Sequence, residues 1–498
     1  MATAQVSTFK NYIGGQWLDS ESGRTYQITN PARKSSVVGQ FQVSSPADAL
    51  RAIAAAQQAL PGWANTPAPV RTQVLYRALD IMGKRADEIA HTITIEEGKP
   101  LADALGEVKR AMNIIEYAAG EGRRMFGYTT PSELPSTVAY TVRRPLGVVA
   151  IITPWNFPIA IPAWKIAPAL ICGNTLVFKP ASGTPLSAVR LVEVFEEAGL
   201  PPGVLNLITG PGASVGNALV ESPQVQGISF TGSTEIGTDI YARGARLLKK
   251  VQCEMGGKNA VILLADANLD KALGGIVQGA FGSTGQRCTA TSRAIIEEPI
   301  YDQFMEQLLE RTSKLKVGNG LDPEVDVSPL SSESQMQKVL EYIGIGAEEG
   351  ARLAYGGHAL TGGIYDEGYY VEPTVFTEVT PQMRIAQEEI FGPVLTVFKA
   401  KDLEDAVQIS NNVKFGLSSS VYTRDLPRAF KYINTVEAGM VHVNAPTLGG
   451  EVHLPFGGMK SSGVGQREQG TEAVDFFSEV ITVYIDYADA PRAQARFI

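Results

Sequence analysis

Three side chains suited to carbonyl chemistry stand in short strings rich in glycine or proline. Cys288 lies in Gly285-Gln286-Arg287-Cys288-Thr289, just after Gly282 and Gly285. A side chain there can stand exposed in a cleft, and Arg287 with nearby backbone dipoles would favour its thiolate, the attacking form. The plain alternative is a buried, inert thiol. Cys172 and Cys253, each in or beside an apolar run, read that way. Glu254, in Glu254-Met255-Gly256-Gly257-Lys258-Asn259, ends a strand-like run beside two glycines. A carboxylate free to swing suits a general base acting on water; a salt-bridged surface Glu fits equally. Asn156 sits in Pro154-Trp155-Asn156-Phe157-Pro158. Its amide N–H would stabilise an oxyanion in an apolar loop, where such donors count most, or it merely shapes a turn.

Phe230-Thr231-Gly232-Ser233-Thr234-Glu235-Ile236-Gly237 follows a strand pattern and opens a helix pattern. A turn of small residues at a helix N-terminus offers free N–H groups to an anion, though the string lacks the first two glycines of a GxGxxG fingerprint. Lys179, in Phe178-Lys179-Pro180, ends a strand-like run, and open α/β sheets bind ligands at such ends. A solvated Lys is the alternative. Gly457-Gly458-Met459-Lys460-Ser461 imitates a P-loop, but Met459 breaks the Gly-Lys step.

The elements that must position these residues follow from pattern. Ser45-Pro46 with Asp48 is a helix start, and amphipathic runs continue at 70–90 and 100–119. Thr137–Val142 alternates as a strand. Apolar strand-like runs then fall at 147–152, 174–178, 204–208, 226–230, 249–253 and 259–264. Helical patterns at 158–170, 184–198, 213–220 and 235–246 separate most of them. That alternation predicts βαβ units around a parallel sheet. A second α/β pattern runs from about 268 to 460, and Glu479–Asp486 reads as a last strand. No internal repeat or long linker interrupts the chain.

The 498 residues carry a net charge of −9, with 44% hydrophobic and 19% charged residues. These values fit a globular protein of two or three domains. The acidic balance and the absence of a basic stripe argue against nucleic acid. Three cysteines without CxxC spacing and four scattered histidines predict neither disulfides nor a metal site, and a cytoplasmic, reducing compartment. Met1–Lys10 shows no signal peptide pattern. Leu146 to Trp164 is uncharged but is interrupted by Pro154, Asn156, Pro158 and Pro162. It reads as a buried strand, a loop and a helix start rather than a bilayer span of about 20 residues.

Taken in chain order, PWNFP (154–158), FKPA (178–181), FTGSTEIG (230–237), EMGGKN (254–259), GQRCTA (285–290), EEIFGP (388–393) and PFGGMKSSG (455–463) resemble the NAD(P)-dependent aldehyde dehydrogenase family. The resemblance spans about 10–485. It implies a Rossmann-type nucleotide domain (1–133 and 150–255), an α/β catalytic domain (256–460) and a small β bridging or oligomerisation sheet (134–149 and 461–498). It implies Cys288 as the nucleophile, Asn156 with the Cys288 N–H as the oxyanion hole, and Glu254 as the base that frees the acid from a thioester. Lys179 resembles the lysine on the adenosine ribose and Glu389 the glutamate on the nicotinamide ribose. Gly232 and Ser233 lie where a pyrophosphate would sit. Ile152, Thr153, Pro154, Trp155, Gly212 and Phe391 fall in the cofactor cleft by the same analogy. A homodimer or homotetramer is expected.

Ser182 stands where many NAD-preferring members of the family carry Glu, three residues after the lysine. Without that charge a 2′-phosphate is tolerated, so NADP is favoured with NAD use open. Trp164, in IPAWK (161–165), stands where succinic semialdehyde dehydrogenases typically carry Arg. IPAWK and TGQRCTATSR (284–293) look more like 2-oxoglutarate semialdehyde (2,5-dioxopentanoate) dehydrogenases. A broad-range aldehyde, hydroxy-aldehyde or succinic semialdehyde enzyme is the alternative, and Arg287 is a candidate for a substrate carboxylate. CoA-acylating relatives usually lack Glu at 254, which weighs against that chemistry. A non-catalytic scaffold would not require Cys288, Glu254 and Asn156 together.

Overall fold

The computed structural model describes residues 6–489; residues 1–5 and 490–498, at the ends of the expected nucleotide and bridging segments, lie outside them. Ser45 starts the helix Pro46–Asn65 with a capping box: its hydroxyl accepts from the Asp48 N–H, and Asp48 accepts from the Ser45 N–H at 2.8 Å. The amphipathic stretch 70–90 is two helices, Ala68–Lys84 and Ala86–Glu97, which meet at Arg85. Leu101–Glu121 follows as predicted, opened by Pro100.

The alternating middle of the chain forms one eight-stranded sheet. Its spatial order is Gln16–Leu18, Asn11–Ile13, Leu205–Leu207, Thr175–Lys179, Val148–Ile152, Gly227–Thr231, Lys250–Glu254, Gly463–Val464. The five central strands are parallel, and the outer ones are antiparallel. From Val148–Ile152 the chain builds outward through 175 and 205, then returns to the opposite side at 227 and 250. The strand order therefore reverses between Val148–Ile152 and Gly227–Thr231, and that reversal opens a crevice at the strands' carboxyl ends. Both central strands are buried throughout, as strands covered by helices on two faces must be. Apolar clusters on either face fill the space under the helices. The uncharged stretch 146–164 resolves into the strand Val148–Ile152, a loop, and the buried helix Ala160–Ile171. Among the described residues no helix is long and apolar enough to cross a membrane.

A second sheet of seven strands has the order Arg352–Tyr355, Thr374–Thr377, Val394–Ala400, Thr291–Glu297, Asn259–Leu263, Ser418–Tyr422, Met440–Val443. All its pairings are parallel except the first. A third, antiparallel sheet pairs Ser478–Asp486 with Thr137–Pro145 over nine residues, with Thr129–Thr130 on the far edge. Val480, Tyr484 and Ile485 of its terminal strand are exposed.

Removing the Ser45 hydroxyl tests the first helix start. Ser45→Ala is expected to lower the unfolding free energy by about 1 kcal/mol, read from urea denaturation. No change in midpoint would assign the helix start to packing alone.

Candidate active site

The helix Leu269–Phe281 runs into a tight turn, Gly282–Gly285, before the strand Thr291–Glu297. Three consecutive residues of the turn are left-handed: Ser283 (φ 47°), Thr284 (φ 58°) and Gly285 (φ 65°). For Ser and Thr this conformation costs about 1–3 kcal/mol each, so neighbours must hold it. The Thr284 hydroxyl donates to the Ser328 carbonyl at 2.7 Å, and the Ser283 hydroxyl donates to Asp103. Gly285 is obligatory, because a Cβ there would lie 2.2 Å from the Gly392 carbonyl. Cys288 emerges from this turn half-buried, its carbonyl accepting from Asn259 Nδ2 at 2.7 Å.

Burial pushes the Cys288 thiol up to about 12, and the carboxylates Glu389 and Glu254 push the same way against its own and Thr289's backbone N–H. The expected help from Arg287 is not there. Its Nη2 donates to Asp103 at 2.8 Å and to Ser283 at 2.7 Å, so its charge is already matched. Cys172 and Cys253 are buried and raised to about 12, in keeping with inert thiols.

Asn156 lies in the loop between Val148–Ile152 and Ala160–Ile171, only 3% exposed. Its Nδ2 donates to the Gln286 carbonyl at 3.1 Å, two residues before Cys288. A buried ion pair holds this loop. Lys99 Nζ donates to the Asn156 carbonyl at 2.6 Å and to Glu107 Oε2 at 2.7 Å. Glu107 Oε1 accepts the Ile159 and Ala160 N–H groups at 2.8 and 3.0 Å, where the helix leaves them without intrahelical partners. Neither Lys99 nor Glu107 stood out in the sequence. A pair eight residues apart spanning Pro100 has no helical spacing to betray it.

Glu254 ends the strand Lys250–Glu254 and is 3% exposed. Its carboxyl faces away from the cleft: Oε2 accepts the Gly458 N–H at 3.3 Å, and a Cβ on Gly457 would meet Oε1 at 2.2 Å. Burial and the neighbouring Glu468 raise its pKa well above the carboxylate range, against Arg467 and Lys165. Gly256 and Gly257 serve close approach rather than looseness. A Cβ on Gly256 would fall 2.3 Å from Glu389 and one on Gly257 2.6 Å from the Cys288 carbonyl.

At the carboxyl ends of the central strands lies a cleft of about 770 Å³. Ile152, Thr153, Pro154, Trp155 and Asn156 line one side, with Lys179 and Gly212 beyond them. Gly232 and Ser233 present the N-terminus of the helix Thr234–Arg246. Glu389, Phe391 and Cys288 line it from the second sheet, together with Gly256, Gln335 and Lys338, which the sequence reading missed. The Trp155 and Phe391 rings meet edge to face at 5.4 Å. Burial lowers Lys179 to about 8, its Nζ resting on the Pro180 carbonyl. Two candidates do not line the cleft: Glu254, and Ser182, whose hydroxyl donates to the Gly210 carbonyl at 3.0 Å. Helix N–H groups for a diphosphate, hydrogen-bonding side chains near either end and an aromatic wall fit a dinucleotide.

A second cavity, about 270 Å³, opens beside the first, walled by Phe157, Ile161, Trp164 and Phe456 with Arg110 and Arg287. Cys288 and Ile161 are the two residues that line both.

A doubly wound sheet with a dinucleotide-shaped cleft at its carboxyl edge, a thiol at the cleft's far side and a second cavity behind it define a nucleotide-dependent oxidoreductase. The chain belongs to the aldehyde dehydrogenase family, whose model matches residues 17–483, and members of that family are NAD(P)-dependent oxidoreductases. It is 47% identical over 97% of its length, and 99% of the relative's, to an alpha-ketoglutaric semialdehyde dehydrogenase of Bacillus subtilis (strain 168). It is 46% identical, over 96% and 99% of the two chains, to an alpha-ketoglutarate semialdehyde dehydrogenase of Haloferax volcanii. The crystal structure of an NAD-dependent aldehyde dehydrogenase from Sinorhizobium meliloti superposes with a TM-score of 0.95 at 36% identity, covering 99% and 97%.

A thiol held near 12 has a thiolate fraction that grows tenfold per pH unit across the neutral range. The iodoacetamide alkylation rate of Cys288, followed by peptide mass spectrometry without cofactor, should therefore climb without levelling from pH 7 to 10. A plateau near pH 8 would show that the thiolate is stabilised in the free enzyme.

Proposed function

We propose that the protein oxidises 2-oxoglutarate semialdehyde (2,5-dioxopentanoate) to 2-oxoglutarate through a Cys288 thioester. The observation that carries this reading is the position of Cys288 between the two cavities, open to an aldehyde on one side and a dinucleotide on the other. The two semialdehyde dehydrogenases at 46–47% identity support the substrate. Sγ gives its proton to water in the open cleft and bonds to the aldehyde carbon, and the carbonyl oxygen becomes an oxyanion held by Asn156 Nδ2 and the Cys288 N–H. A nicotinamide dinucleotide, held in the cleft lined by Lys179, Gly232, Ser233 and Glu389, would supply the acceptor for the hydride on that carbon. Glu254, ionised once it leaves Gly458 and Glu468 and turns toward Cys288, takes a proton from water, and the hydroxide displaces Sγ to give the acid. Because Gly256 and Gly257 are fixed by contact, this movement belongs to the Glu254 side chain. Water rather than CoA is thus the acyl acceptor.

Lys179 and Glu389 hold the two riboses, and Gly232 and Ser233 the diphosphate. With neutral Ser182 near Lys179, NADP is the favoured cofactor and NAD remains usable. We assign the nucleotide role to 1–133 and 150–255, the catalytic role to 256–460, and bridging to 134–149 and 461–498. The exposed strand Ser478–Asp486 supports a homodimer or homotetramer, since unpaired apolar edges seek partners. Three free cysteines suit the reducing cytoplasm.

An aldehyde panel with both cofactors tests substrate and cofactor together. The semialdehyde should exceed simple aliphatic aldehydes in kcat/KM; equality would defeat the substrate reading. A preference for NAD above about tenfold, about 1.4 kcal/mol, would defeat the cofactor reading. Glu254→Gln should give one rapid burst of reduced cofactor and then stall. An unchanged steady rate removes Glu254 from the hydrolytic step.

A further inference from the structure

We propose that Arg110 holds the acid end of the substrate, assisted by the indole N–H of Trp164. The proposal rests on the reading of Cys288 as nucleophile and deepens it. The 270 Å³ cavity is lined by two carboxylates, Asp103 and Glu107, and by two guanidinium groups, Arg110 and Arg287. Asp103 is matched by Arg287 at 2.8 Å, and Glu107 by Lys99 at 2.7 Å. Arg110 is left over. Among the described residues it makes no ion pair. Its Nη1 and Nη2 donate to neutral oxygens, the Gly450 carbonyl at 2.5 Å and Gln469 Oε1 at 3.0 Å. A guanidinium has five N–H donors, so donors remain. The carboxylate it feels most is Glu451, exposed on the neighbouring loop. Arg110 is thus the cation of this cavity with charge to spare.

Trp164 supplies the second observation. It is 5% exposed, packs on Phe456 at 5.2 Å, and carries the Arg110 guanidinium 5.9 Å from its ring centre. Its Nε1 is buried without a hydrogen-bond partner. A buried donor left unpaired costs about 1–3 kcal/mol, a cost relieved when an acceptor arrives. A spare guanidinium and a spare indole N–H suit a 2-oxo acid, whose carboxylate and keto oxygens lie side by side. The apolar walls strengthen the charge contact by excluding water. The cation that position 164 lacks stands on the face of its ring. The same charge disfavours aldehydes bearing a quaternary ammonium.

The experiment compares kcat and KM for 2-oxoglutarate semialdehyde and an uncharged five-carbon aldehyde in wild type, Arg110→Met, Arg110→Lys and Arg287→Met. Quenching of protein fluorescence by reduced cofactor reports folding. Wild type that fails to prefer the acid aldehyde defeats the substrate reading, whatever Arg110 does. If wild type discriminates, Arg110→Met should reduce the acid-to-neutral ratio of kcat/KM by about tenfold or more, chiefly through KM. Arg110→Lys should keep part of the ratio, and it carries the test if the Met variant fails to bind cofactor. A ratio within about twofold of wild type in the Arg110 variants, or its collapse in Arg287→Met alone, overturns the proposal.

Discussion

The site depends on a backbone strained into the left-handed region at Ser283, Thr284 and Gly285. That turn carries Cys288 from the second sheet to the carboxyl edge of the first. It persists because Asp103 and Ser328 take up its hydroxyls and because Gly285 fits against Gly392 where no side chain could. From it follow the contact between Gln286 and Asn156, the exposure of Cys288 to two cavities, and the pairing of Asp103 with Arg287. Backbone strain of this kind is held by surrounding structure and concentrates where chemistry needs an unusual geometry.

Burial then sets the electrostatics. Thiol and carboxyl groups around the cleft are pushed up, as at Cys288 and Glu254, while Lys179 and Lys258 are pushed down, to about 8 and about 7. Each shift favours the neutral form, as desolvation requires. Burial thus weakens the hold of these groups on their charges. Ligands that bring charge into the cleft alter these balances more strongly than they would in water. The fully matched pair Lys99–Glu107 is different. Its members satisfy one another and fix the loop bearing Asn156, so it works as a clamp.

Much of this was legible in the sequence. The parallel sheet followed from the spacing of apolar runs, and Ser45 with Asp48 marked a helix start that the structure keeps. The strings around Cys288, Asn156 and Glu254 pointed to residues that the fold gathers around one cleft edge, although Glu254 is turned away from it. Other parts were hidden for physical reasons. Lys99, Glu107 and Arg110 sit in or beside a helix whose charged residues look like a solvated face; only the tertiary fold buries them. The glycine pair after Glu254 looked like a hinge, but each glycine answers to a carboxylate or carbonyl distant in sequence. Arg287 looked like an activator of its neighbour until Asp103, nearly two hundred residues earlier, claimed it.

The proposed chemistry rests on a covalent bond to one sulfur, Cys288 Sγ. Wild-type enzyme mixed with semialdehyde and oxidised cofactor, quenched in acid within the first turnover, and digested for mass spectrometry should show the acyl group on the peptide containing Cys288. Reduced cofactor should form in equal amount. Reduced cofactor formed with that peptide unmodified, or the acyl group found on another residue, would contradict the account.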